Sequence, residues 1–219
     1  MRIVIAGGHG QIAQRLSRLL VARGNQPVGL IRNPDHADDL REVGAEPVVC
    51  DLEHSTVHEV ARHVDGADAV VFAAGAGPSS GAERKTTMDK NGAILLADAA
   101  ETAGVARYLM LSSMGADREP PGGTDPVFAA YLRAKGAADD DLTARSSLRW
   151  TIVRPGSLTD EPGTGKVRLA PHTGKGSIPR DDVAAVFAAL LKAPRTAGMV
   201  LELISGERPI NDEIERLLG

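Results

Sequence analysis

Tyr131 and Lys135 stand four residues apart in Tyr131-Leu132-Arg133-Ala134-Lys135, a spacing that puts both side chains on one face of a helix. An ammonium beside a phenol favours the phenolate, and such a pairing turns an otherwise inert tyrosine into a usable general acid/base. The chain has 2 tyrosines, and the other, Tyr108, falls inside an apolar run where core packing is the expected role. That run ends in Ser112-Ser113, two hydroxyls suited to holding a carbonyl or alcohol oxygen.

A second chemical feature lies near the N-terminus. Gly7-Gly8-His9-Gly10-Gln11-Ile12-Ala13 follows a short apolar run and opens a helical pattern. It fits both Gly8-x-Gly10-x-x-Ala13 and Gly7-x-x-Gly10-x-x-Ala13. On either reading the first glycines permit a tight turn and Gly10 lets the backbone approach a pyrophosphate. The small Ala13 then lets helix and strand pack closely, and the exposed N–H groups from Gly7 to Ile12 face the phosphates. His9 can touch phosphate or serve as a hydrogen-bonded loop residue. The second strand ends in Leu30-Ile31-Arg32-Asn33-Pro34, with Arg32 where NAD-selective sites carry a carboxylate. A guanidinium there suits a 2′-phosphate, so NADP(H) is expected in preference to NAD(H). Asp51-Leu52, past the third strand, can border the adenine. The run Phe72-Ala73-Ala74-Gly75-Ala76-Gly77 can pass close to the cofactor.

Those residues need a scaffold, and the sequence describes one. Apolar, β-rich runs recur at Arg2–Ala6, Pro27–Arg32, Glu46–Cys50, Ala69–Ala73, Arg107–Ser112, Arg149–Arg154 and Met199–Ile204. Helix-like segments fall between them, at Gln11–Arg23, Ala37–Val43, Ser55–Val64, Lys85–Ala103, Val127–Ser146 and Arg180–Lys192, with a short one at Asn211–Leu218. The runs are nearly continuous in apolar residues, as strands buried on both faces should be. The expectation is an α/β Rossmann fold, a doubly wound parallel sheet of about seven strands with helices on both faces. Asp117–Pro126 and Ser157–Pro179 break the rhythm, the second with a short strand expected at Lys166–Ala170. Both follow strand C-terminal ends, where open α/β sheets place ligands, so both are candidate substrate loops. The expected organisation is one nucleotide-binding domain over 1–219, with a small substrate-side insertion at 157–179.

Composition narrows the partners. The formal net charge is −4 and the basic residues are scattered, so no nucleic-acid surface is expected. The N-terminal apolar stretch is too short for a signal sequence or a spanning helix, and no membrane partner is expected. Cys50 is the only cysteine and ends an apolar run, which reads as a core residue in a reducing, cytoplasmic setting. The histidines lack metal-ligand spacing, with His54 and His58 read as surface residues, and no metal is expected. Trp150, within a strand, is expected to pack. The partner expected is a small-molecule substrate; nothing in the sequence sets the oligomeric state.

With these pieces in place the sequence resembles the short-chain dehydrogenase/reductase superfamily, in its atypical NAD(P)H-binding branch related to extended epimerases and dehydratases. The glycine loop, Asp98-Ala99-Ala100 to Tyr108, Leu111-Ser112-Ser113 and Tyr131 to Lys135 carry the likeness. Thr151-Ile152-Val153-Arg154-Pro155-Gly156 and Ile178-Pro179-Arg180-Asp181-Asp182-Val183-Ala184 continue it. The resemblance implies that Tyr131 is the acid/base, that Lys135 binds the nicotinamide ribose and tunes Tyr131, and that Ser113 rather than Ser112 positions the substrate. Pro155 and Gly156 would pass beside the nicotinamide. The asparagine that many catalytic members carry on the fourth helix is Asp89 here, which puts any relay through that position in doubt. The implied activity is NADP-dependent hydride transfer to a small carbonyl or flavin-like substrate. Some members of the branch only sense cofactor redox state through a partner, and others use the same residues for nucleotide-sugar epimerisation or dehydration.

Overall fold

The computed structural model describes residues 1–77 and 80–219. Strands β1 (Arg2–Ala6), β2 (Gln26–Ile31), β3 (Glu46–Val49), β4 (Ala69–Phe72), β5 (Arg107–Leu111) and β6 (Arg149–Pro155) lie in one sheet. Helices α1 (Gln11–Ala22), α2 (Ala37–Glu42) and α3 (Val57–Val64) connect the first four strands. Between β4 and β5 a helical rod begins as α4 (Ala82–Arg84), winds as a π-helix over Lys85–Gly92, and continues as α5 (Ala93–Thr102). Then come α6 (Pro126–Thr143), after β5, and, beyond β6, the short β7 (Ser157–Thr159), β8 (Lys166–Ala170) and β9 (Ser177–Pro179). The chain closes with α7 (Arg180–Leu190), β10 (Met199–Ser205), β11 (Arg208–Pro209) and α8 (Ile210–Leu218).

Seven strands run parallel in the order β3-β2-β1-β4-β5-β6-β10, the Rossmann order with one strand added. The sheet is wider than the seven strands expected. β8 pairs antiparallel with β10, and β11 with β8, so the edge carries two more strands for a total of nine. The segment 157–179 is therefore only partly a loop: its centre extends the sheet, while β7 and β9 pair separately.

Both faces of the sheet are dry, which explains why the strands read as unbroken apolar runs. Ile3 and Ile5 of β1 pack on one side with Leu16 and Leu20 of α1 and with Val183 and Phe187 of α7. Val4 and Ala6 pack on the other with Val60 of α3, Leu96 of α5 and Leu142 of α6. Tyr108 is fully buried and donates its hydroxyl proton to the Ala93 carbonyl at 3.2 Å, so it is a core residue as expected. Cys50 is buried too, and burial pushes its thiol up, away from nucleophile chemistry. Trp150 is half-buried against the same layer. Among the described residues, no helix is long and apolar enough to cross a membrane.

Candidate active site

Parallel strands deliver their C-terminal ends to one edge of the sheet, and the chemistry-bearing residues collect there. β1 sits between β2 and β4 and leads straight into the glycine loop. Gly7 has φ +77°, and a Cβ on it would stand 2.5 Å from the Ala74 Cα. A Cβ on Gly8 would stand 2.6 Å from the Gly29 Cα of β2. The loop is thus wedged between two neighbouring backbones, and only glycine fits. Gly10 then N-caps α1 without any side-chain hydrogen bond, which leaves the first N–H groups of that helix facing the cleft. A cradle of this shape fits a dinucleotide pyrophosphate.

The cleft has two lobes that meet at Ala73, Ala74 and Gly75. Gly7, His9, Gly10, Arg32, Asn33, His36 and Leu52 line the first lobe, with Arg84 and Met88 opposite. His9 stacks on His36 with ring centroids 3.6 Å apart, and its Nε2 lies 2.7 Å from Asp39 Oδ2. Arg32 is half-exposed and donates to Glu53 at 3.2 Å. Glu53 is largely buried and is held by Arg84 at 2.6 Å and by the Thr87 hydroxyl at 2.5 Å. The Arg84 guanidinium, assisted by Thr87, holds the Glu53 carboxyl below the usual carboxylate range despite its burial.

The second lobe is a cavity of about 890 Å³. Ser113, Tyr131, Lys135, Pro155 and Gly156 line it, so residues from β5, α6 and β6 converge where the sequence expects substrate chemistry. Lys135 is 3 % exposed and donates to the Leu111 carbonyl at 3.0 Å, which fixes its ammonium at the end of β5. It lies 3.5 Å from Asp89 Oδ1, 5.1 Å from the Phe72 ring centroid and 5.9 Å from that of Tyr131. At 3.5 Å the contact with Asp89 is an ion pair without a direct hydrogen bond, and among the described residues Oδ1 has no hydrogen-bond partner. Asp89 Oδ2 accepts from the Ala76 amide at 3.2 Å, which ties the loop after β4 to the helical rod. Among the described residues the Tyr131 hydroxyl makes no hydrogen bond.

The two serines differ. Ser112 is buried and donates to Asp139 Oδ2 at 2.8 Å, the same oxygen that accepts from Arg154 Nε at 2.9 Å. Burial pushes the Asp139 carboxyl up, against the pull of Arg154 and Ser112. Ser113 is half-buried, and among the described residues its hydroxyl has only the carbonyl of its neighbour Met114, at 3.3 Å.

Four candidate residues stand apart from the cleft walls. Gly8 is packed behind the loop, and the Ile12 side chain is in the core, so each can offer only its backbone. Gln11 is exposed at the start of α1 and lines neither lobe. Asp51 serves its own turn, accepting from the Glu53 amide and pairing with His54 at 3.0 Å; Leu52 alone of that pair reaches the cleft. His36, Glu53, Arg84, Lys85 and Phe128 were not foreseen, whereas Leu158 falls in the 157–179 insertion expected on the substrate side. The partners of His36, Glu53, Arg84 and Lys85 lie far along the chain, whereas Phe128 stacks on Tyr131 of its own helix; the clustering of Arg84-Lys85 reads as a solvated helix face.

Comparison with known proteins agrees with this geometry. A family described as NAD(P)H-binding matches residues 7–194. YhfK of Bacillus subtilis, described as an uncharacterized sugar epimerase, is 35% identical over 99% of this chain and 100% of its own. A solved protein of Bacillus halodurans, provisionally described as an NAD-dependent epimerase/dehydratase, is 40% identical with a TM-score of 0.90, over 99% of this chain and 100% of its own. The oxidoreductase ylbE of Lactococcus lactis is 28% identical with a TM-score of 0.86, over 100% and 97%.

Proposed function

The chain belongs to the NAD(P)H-binding family, and from that premise we propose that it is an NADP-dependent oxidoreductase acting on a small carbonyl or flavin-like substrate. The observation that supports this most is the convergence of Ser113, Tyr131 and Lys135 on one lobe, continuous through Ala73–Gly75 with the glycine-loop lobe. A nicotinamide cofactor supplies the hydride when bound. The chain's own residues do the rest. Gly7 and Gly10 with the uncapped start of α1 take the pyrophosphate, and Arg32 takes the 2′-phosphate. Ser113 has a hydroxyl free enough to hold the substrate oxygen, whereas the Ser112 hydroxyl is committed to Asp139. Tyr131 gives that oxygen its proton in reduction and removes it in oxidation. Lys135, fixed by Leu111 and Asp89, keeps a positive charge beside the phenol and within reach of the ribose.

An epimerase reading would use the same residues, in line with the description of the Bacillus subtilis relative. The lobe favours a substrate with an apolar face. Phe128 is 50% exposed and Leu158 37%, and both line it, which suits an apolar substrate body. NADPH oxidation at 340 nm, against FMN and a panel of aryl aldehydes and ketones, tests the proposal. Turnover with at least one acceptor is expected. NADPH binding without oxidation of any acceptor would instead favour a cofactor-sensing protein.

A further inference from the structure

One charged side chain in the substrate lobe has no role in the chemistry above. Lys85 opens the π-helix, a winding that recurs at functional sites, and is 6% exposed. It lines the lobe opposite α6, with Nζ 5.6 Å from the Tyr131 ring centroid. The Tyr131 ring therefore has two buried ammonium groups close to it, and among the described residues only Lys135 pairs with a carboxylate.

The other two cations of the lobe each face a carboxylate, and its second carboxylate, Asp125, is held by a backbone amide. Lys135 faces Asp89 at 3.5 Å, and Arg180 faces Asp160 at 2.9 Å. Asp125 accepts from the Phe128 amide at 2.9 Å and caps α6. Lys85 is left over. Its one hydrogen bond is to the Gly77 carbonyl at 2.6 Å, and among the described residues it forms no ion pair. A buried ammonium without a counter-charge is costly, so a fold that keeps one beside the reacting position implies an anion in the working complex. The cofactor's phosphates belong with the start of α1, across Ala73–Gly75 from Lys85.

We infer that Lys85 anchors a carboxylate of the substrate, and that the substrate is a flat, apolar carboxylic acid whose reducible group lies against Tyr131 and Ser113. This rests on the oxidoreductase reading and narrows it. An ammonium has three N–H groups, and with one on Gly77 two remain, enough for the two oxygens of a carboxylate. The flat body follows from the opposite wall. Phe128 stacks on Tyr131 at 5.8 Å and 25° and stays half-exposed, with Leu158 near the same mouth. Large apolar side chains left uncovered on a cleft wall match an aromatic ligand face.

The test compares 2-naphthylacetate with 2-naphthylacetamide, which share a shape and differ in charge, by NMR titration of the full chain saturated with NADP⁺. The wild type should bind the acid at least tenfold more tightly than the amide. Lys85→Met should abolish that preference while leaving amide affinity and NADPH affinity unchanged, and Lys85→Arg should retain part of it. Lys85→Gln serves as the neutral variant if the methionine form does not fold. Equal affinity of the wild type for both probes, binding of neither, or a preference that survives Lys85→Met and Lys85→Gln would overturn the inference. A loss of NADPH affinity in the neutral variants without loss of the acid preference would also overturn it, since the cofactor would then be the anion. Failure of the wild type to bind NADPH or NADP⁺ is a different result, and removes the oxidoreductase reading itself.

Discussion

Replacing Lys135 should damage the fold before it damages any reaction, and the size of that damage can be worked out. Asp89 is 1% exposed, its Oδ2 accepts a single backbone hydrogen bond from Ala76, and its Oδ1 has only the Lys135 ammonium nearby. Lys135→Met keeps the stem over Phe72 but leaves the buried Asp89 carboxylate without its counter-charge and the Leu111 carbonyl without this donor. Breaking a buried pair by removing one partner costs about 3–5 kcal/mol. For a chain of 219 residues each kcal/mol shifts Tm by about 2–4 °C, so a fall of roughly 6–20 °C is expected. Adding Asp89→Asn should return at least about 2 kcal/mol, because the amide oxygen can still accept from Ala76 and carries no charge. Urea unfolding of the wild type, both single variants and the double variant closes the cycle. A coupling energy below about 0.5 kcal/mol, or a Lys135→Met cost under about 1 kcal/mol, would refute the buried pair. Activity lost in Lys135 variants must be corrected for this fall in stability.

Arg32→Asp should weaken NADPH about ten- to a hundredfold, the worth of a charge-assisted contact of about 1.5–3 kcal/mol, and spare NADH. Nucleotide fluorescence titration reads it, and equal wild-type affinity for the two cofactors would remove Arg32 from the role. Ser112→Ala should cost about 1–3 kcal/mol of stability through the lost hydrogen bond to the Asp139 carboxylate, whose Oδ2 then keeps only Arg154. Ser113→Ala should leave stability within about 0.5 kcal/mol and lower turnover instead; the reverse pattern would exchange the two serines. Glu53 titrates below its ordinary range in the folded chain, so its stabilising contribution is full above the unfolded carboxyl pKa of about 4.3 and fades as pH falls through the lower folded value. Urea unfolding between pH 3 and 7 should therefore show the gap between wild type and Glu53→Gln closing in acid, and a gap independent of pH would contradict the Arg84 clamp.

Features set by short-range pattern were legible in the sequence. The glycine loop needs only a strand, a turn and a helix in succession, and Gly7, Gly10 and Arg32 lie where that order puts them. The central parallel strands announce themselves because burial on both faces makes them nearly unbroken apolar runs, as in β1 and β4. Tyr131 and Lys135 share a helix, so their meeting in one lobe follows from spacing. Pairings across long stretches of chain were not legible. Glu53 meets Arg84 across 31 residues and Ser112 meets Asp139 across 27, and neither leaves a periodic trace. β8 was foreseen as a short strand, but its place at the sheet edge depends on β10, more than thirty residues later. Nothing in the sequence marks Phe128, near the start of α6, as uncovered on the cleft wall; the tertiary structure leaves it there.

The account stands most directly on Tyr131. With any acceptor found in the NADPH oxidation screen, Tyr131→Phe should lower kcat by about two to four orders of magnitude, the usual worth of a positioned acid/base. NADPH affinity and Tm should remain close to wild type, because the phenol oxygen serves the substrate and makes no hydrogen bond among the described residues. A Tyr131→Phe protein that turns over as fast as wild type, or that loses cofactor binding along with activity, would contradict it.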